Sequence, residues 1–73
     1  MIITKIYGKK TCHGCQAFKK KYPEAIYVDV DELSKEERDY IIELSIKNNL
    51  MTLPVMLDEN DNVIPHKNGE IIE

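Results

Sequence analysis

Ile6-Tyr7-Gly8-Lys9-Lys10-Thr11-Cys12-His13-Gly14-Cys15 decides how the rest of the chain is read. Met1 to Tyr7 reads as a strand, Gly8 to Thr11 as a short loop, and Cys12 as the residue delivered to the start of a helix. Two cysteines separated by two residues can exchange a disulfide when the first sits at a helix start. The strand-loop-helix context therefore makes redox chemistry the leading reading of Cys12 and Cys15.

Outward from the motif, a helix opening at Thr11 or Cys12 places Cys15, Phe18 and Tyr22 on one face before Pro23 stops it. Ala25 to Val30 alternates, with Ile26, Val28 and Val30 on one side, and reads as a second strand parallel to the first. Ser34-Lys35-Glu36-Glu37 matches a capping box, in which Ser34 accepts from the Glu37 backbone and the Glu37 carboxylate reaches back to the Ser34 amide. The helix that starts there runs through Tyr40, Ile41 and Leu44, pairs Glu43 with Lys47, and meets a left-handed stop at Asn48-Asn49. Leu53 to Leu57 reads as a strand with Pro54 at its start, and Asp58 to Asn62 as a turn. Val63-Ile64-Pro65-His66 is expected to return as an antiparallel edge strand. Asn68-Gly69 is either a hairpin turn into Glu70 to Glu73 or a loop beyond the last strand.

Seventy-three residues with 42% hydrophobic content make one domain, 1–73, of modest stability. No apolar run approaches the roughly 20 residues of a membrane span, and no leader pattern opens the chain. The expectation is a soluble cytoplasmic protein, a monomer rather than a dimer. A structural disulfide between Cys12 and Cys15 would close a very short loop and constrain the unfolded chain little. The net charge of −3 hides an asymmetry: Lys5, Lys9, Lys10, Lys19, Lys20 and Lys21 all precede the first acid, Glu24. Lys19 to Lys21 either attract anionic partners or offset the dipole in the last turn of the helix. The acidic total and the lack of a basic-aromatic pattern argue against nucleic acid.

A thiolate, not a thiol, attacks a disulfide, and the free amides at a helix start favour the anion at Cys12, with Lys9 and Lys10 adding to the effect. Cys15, one turn further in, is expected to be more buried and less ionised. Cys12 then attacks a substrate disulfide and Cys15 resolves the mixed disulfide. His13 either favours the thiolate when protonated or is a solvent-exposed loop residue. In a competing reading Cys12 and Cys15 bind a metal or an iron-sulfur cluster, with His13 or His66 as further ligands; no second Cys-x-x-Cys or paired histidines complete a closed site, so no metal is assigned. In a third the cysteines are inert and the domain is an interaction module. Gln16 stands where haem attachment needs a histidine.

The order β-Cys-x-x-Cys-α-β-α-β-β, followed by Thr52-Leu53-Pro54, resembles the thioredoxin superfamily, and within it the small glutaredoxins and glutaredoxin-like thioredoxins. The resemblance covers nearly the whole chain. It implies an α/β class, with a minimal thioredoxin-like fold, a mixed four-stranded sheet and no third helix, so that one sheet face is covered by the first helix alone; Lys5 would mark that thinner face. It also implies a cis Leu53-Pro54 bond beside the cysteines, although composition alone makes Pro54 an ordinary trans strand opener. Lys9, His13, Thr52, Leu53 and Pro54 become the candidate substrate-binding residues. The implied activity is dithiol-disulfide exchange with protein disulfides, ribonucleotide reductase among them. No cofactor is bound, and the Cys12-Cys15 disulfide is reduced by thioredoxin reductase with NADPH or by glutathione. Three features depart from the classical glutaredoxins: His13-Gly14 replaces Pro-Tyr, Pro65-His66-Lys67 replaces a Gly-Gly pair that helps bind glutathione, and the third helix is missing. The second favours thioredoxin reductase over glutathione.

Overall fold

The central strand β1 (Ile3–Gly8) pairs in parallel with β2 (Ile26–Asp29) and antiparallel with β3 (Val55–Asp58), giving a three-stranded mixed sheet of order β2-β1-β3. Two helices, α1 (His13–Lys21) and α2 (Lys35–Lys47), and a separate hairpin of β4 (His66–Lys67) and β5 (Glu70–Ile71) complete a small mixed α/β domain. The computed structural model describes residues 2–50, 53–67 and 69–72. Among them no helix is long and apolar enough to cross a membrane.

Strand side chains alternate between faces, so Ile3 and Ile6, three positions apart, would lie on opposite sides of a regular strand. The β1–β3 register is irregular between Ile3 and Lys5, which leaves Thr4 as the extra residue of a bulge. Its Oγ1 donates to the carbonyls of Leu57 and Asp58 at 3.3 and 3.0 Å, so the disturbed ladder keeps polar partners. The bulge reverses the alternation, and Ile3 and Ile6 join one cluster with Phe18, Met56 and Ile64. Phe18, Ile6, Met56 and Ile64 are almost wholly enclosed; burying a side chain of this size contributes about 1.5 to 3 kcal/mol. On the other face, Val55 and Leu57 pack against Ile41 of α2, with Tyr7, Leu44 and Leu53 at the margin.

Cys12 caps α1 rather than belonging to it, and Tyr22 ends the helix by donating its N–H to the Phe18 carbonyl at 2.9 Å. Cys15 and Phe18 form the buried face, and the Tyr22 ring stacks on Phe18 at 6.2 Å. Lys19, Lys20 and Lys21 occupy the last turn, where cations offset the helix dipole. Ser34 caps α2 by accepting from the Glu37 amide at 3.2 Å, but the Glu37 carboxylate accepts from the Ser34 hydroxyl at 3.1 Å rather than reaching the Ser34 amide. Asn49 takes the left-handed conformation at φ 59° and stops the helix. The Glu43–Lys47 pair does not form; among the described residues the ion pair is Lys9–Asp31.

Three expectations are corrected. The sheet has three strands, not four: Val63 makes a single bridge to Leu57, and Ile64 donates to the Met56 carbonyl at 2.9 Å, before the pairing ends. The register that joins Val63 to Leu57 would set Pro65 opposite Val55, and proline has no amide to continue the ladder. The chain instead turns at Gly69, φ 80°, into the β4–β5 hairpin. Ile64 and Ile71 thereby fill the α1 face, which is not covered by α1 alone, and Lys5, paired with Leu57, lies on the α2 face instead. The second strand is shorter than Ala25 to Val30, because Val30 opens a 3-10 turn, Val30–Glu32. Ile26 is 62% exposed, since the α2-side cluster does not extend to it, and Tyr27 turns into the α1 face.

Candidate functional site

β1 ends on Gly8, which is a buried strand residue and not the first residue of the loop. The loop closes when the Cys12 amide donates to the Lys9 carbonyl at 3.1 Å, and the Gln16 amide then donates to the Cys12 carbonyl at 3.1 Å as the first helical bond. This places the Cys12 sulfur over the helix start, where it accepts from the Cys15 N–H at 3.2 Å. Cys12 is half-buried and Cys15 is fully enclosed; both are free thiols. From the other side, the Leu53 carbonyl lies 3.9 Å from the Cys12 sulfur, the Leu53–Pro54 bond is cis, and Pro54 is buried.

The two sulfurs sit in unequal surroundings. The Cys15 thiol is pushed up to about 12, first by burial and then by its hydrogen bond to the Cys12 side chain, with the Lys9 backbone pulling weakly the other way. Cys15 therefore holds its proton while Cys12 meets solvent and a backbone donor.

The candidate binding residues divide. Leu53 and Pro54 lie at the dithiol, whereas Thr52 falls outside the described residues. Lys9 serves the site through its carbonyl, which accepts from the Cys12 amide and from Gln16 Nε2; its ammonium is 3.7 Å from Asp31 in a largely solvated pair of little energetic weight. His13 is exposed in the first turn of α1, beside Lys10, Gln16, Ala17 and Lys20, and shows no hydrogen bond to either cysteine. Among the described residues no trio of His, Cys, Asp and Glu converges as metal ligands, so neither His13 nor His66 joins the cysteines in such a group.

Sequence reading missed four contributors. Gly8 is the seat of Cys15: a methyl group there would stand 2.7 Å from Cys15 Cβ and 2.8 Å from its sulfur. A glycine that ends a strand just before the motif was the available signal. Gln16 Nε2 donates to Tyr27 Oη at 3.2 Å, a contact between helix and strand with no signature in either segment. His66 Nε2 lies 2.5 Å from the Pro54 carbonyl, and because a carbonyl only accepts, this nitrogen carries the proton. The His66 ring tilts against Phe18 at 5.3 Å and borders a groove together with Gly14, Leu53 and Pro54.

A half-exposed sulfur beside a backbone donor, with a protonated thiol one turn behind it, suits attack on a disulfide followed by internal resolution. No protein-family model, curated protein or solved structure matches the chain.

Gly8→Ala should destabilise the reduced protein by about 1 to 3 kcal/mol, because the new methyl meets the stem of Cys15 rather than the flexible end of a side chain. A urea midpoint equal to the wild type would show that the site has room. Cys15 also gives stability a pH dependence. The unfolded chain releases the Cys15 proton near 9.0 and the folded protein near 12, so this contribution is complete below pH 9 and is lost as pH rises toward 12. In reduced protein, the stability advantage of wild type over Cys15→Ala should narrow in urea titrations taken from pH 7 to pH 11; a constant gap would refute it.

Proposed function

We propose that this protein is a dithiol-disulfide oxidoreductase of the thioredoxin superfamily, built like a small glutaredoxin or glutaredoxin-like thioredoxin. The carrying observation is the inequality of the two thiols: Cys12 accepts from a helix-start amide and meets solvent, while Cys15 is buried with its proton held up to about 12. Cys12 attacks as thiolate on one sulfur of a substrate disulfide; a Cys12–substrate bond forms and the other substrate sulfur leaves as thiolate. Cys15 then loses its proton and attacks the Cys12 sulfur. The internal disulfide forms, the second substrate thiolate departs, and two electrons have passed from the dithiol to the substrate.

The Leu53 carbonyl beside Cys12 supports the choice of a protein disulfide as substrate, because an extended segment flanking the attacked cysteine can pair with this backbone. The cytoplasm, with ribonucleotide reductase among the acceptors, is the setting that fits such an electron carrier. For the returning electrons, His66 offers its Nε2–H to Pro54, and Pro65 offers no amide at all, in the stretch where glutaredoxins present a Gly-Gly pair. Without that anchor for a carboxylate of glutathione, a flavoprotein thioredoxin reductase is the better donor.

Cys15→Ser should accumulate a mixed disulfide between Cys12 and a disulfide-bonded protein such as insulin, visible by mass spectrometry. Cys12→Ser should trap almost none and lose turnover. Equal trapping by both variants would overturn the assignment of roles. NADPH oxidation coupled through thioredoxin reductase should exceed that coupled through glutathione and its reductase by about tenfold, the worth of one lost charge-assisted hydrogen bond. Saturable turnover with glutathione alone would reverse the choice of donor and leave the dithiol mechanism standing.

A further inference from the structure

Cys15 must lose its proton to resolve the mixed disulfide, yet it is fully enclosed and, among the described residues, no carboxylate or histidine hydrogen-bonds to it. A phenol borders the same space. A methyl group built on Gly8 would stand 2.8 Å from the Cys15 sulfur and 2.9 Å from Tyr27 Oη. The two atoms thus border one gap, at the one position of β1 that carries no side chain, and no hydrogen bond joins them in the reduced protein.

Tyr27 is not there as apolar filling alone. The Gln16 side-chain amide donates both its hydrogens, one to the Lys9 carbonyl and one to Tyr27 Oη, each at 3.2 Å. Lys9 O can only accept, which fixes the amide with its nitrogen toward the site. The phenol oxygen is therefore already an acceptor from Gln16, and its own hydrogen remains to be given. Below the ring, Lys19 Nζ stacks at 4.8 Å from the centroid, so α1 holds Tyr27 at its hydroxyl and on its face.

We infer that Tyr27, oriented by Gln16, is a positioning residue for the resolving thiol, turning its hydroxyl to the Cys15 sulfur and stabilising the thiolate as the proton leaves. The inference rests on the dithiol reading above. Tyr27 stays protonated throughout; the proton of Cys15 goes to solvent or to the departing substrate thiolate, and the electron pair of Cys15 makes the new bond to Cys12. The ionisable groups around the pair are Cys12 at the helix start, Lys19 of α1 over the Tyr27 ring, and Asp29 from β2. Burial first, and then the charges of Cys15, Asp29 and Cys12, hold the Tyr27 proton above the ordinary tyrosine range, as a donor requires.

Reduced protein mixed with dithiobis(nitrobenzoate) reads the two steps separately, since Cys12 releases one thionitrobenzoate on attack and Cys15 releases the second on resolution. Tyr27→Phe keeps the ring in the cluster and should leave the first release unchanged. It should slow the second by about tenfold or more and move its pH profile upward by about one unit, the effect of one hydrogen bond to a charged sulfur. Gln16→Leu should shift the same phase in the same direction. A second phase with wild-type rate and pH profile in Tyr27→Phe, or equal slowing of both phases, would overturn the inference. A wild-type protein that releases only one thionitrobenzoate would instead bring down the dithiol reading itself.

Discussion

The close approach of α1 to the end of β1 is the constraint on which the other features depend. It is possible because Gly8 has no side chain, and it puts Cys15 in a space that admits neither water nor another methyl group. Once Cys15 is enclosed, the preceding turn fixes Cys12 at the helix start, and the sulfur inherits the amide that the first turn leaves unpaired. The difference between the two cysteines is therefore a packing result before it is an electrostatic one. Identical thiols become unequal because one is pressed against a strand and the other caps a helix.

Much of this was legible in the residues. The Cys12-x-x-Cys15 spacing, the Ser34 cap and the Asn48-Asn49 stop are local signals, decided within one helical turn, and the structure has all three. The parallel β1–β2 pair follows from the strand-helix-strand order. What could not be read depends on register between distant segments. The Thr4 bulge exists only in relation to Leu57 and Asp58, and the sidedness of Lys5 and Ile3 depends on it. An edge strand tolerates Pro65 on one side only, and the register would set it opposite Val55, where the pairing ends; only the register reveals this.

The site divides along the same line. Cys12 and Cys15 carry their own signature, while Gly8, Gln16, Tyr27 and His66 matter through contacts across the fold. Lys9 shows why residue type can mislead: the sequence offers its charge, and the structure uses its carbonyl. His66 is a metal ligand by residue type, but its ring nitrogen is turned to the Pro54 carbonyl, tying the β4–β5 hairpin to the cis-proline segment beside Cys12.

The slender attachment of α2 separates the two sides of the site by their resistance to opening. Ile41 is the single buried residue of this helix, and Ile42 and Ile46 are turned to solvent, so few apolar contacts oppose its release from the sheet. The sulfur side stands on β1 and α1, locked through Gly8, Ile6 and Phe18. The Leu53 side follows α2 in the chain and shares the cluster that holds it. Release of α2 thus loosens the Leu53 backbone while Cys12 and Cys15 keep their geometry, so that, under the proposed dithiol chemistry, the backbone edge would adapt in shape without retuning the thiols.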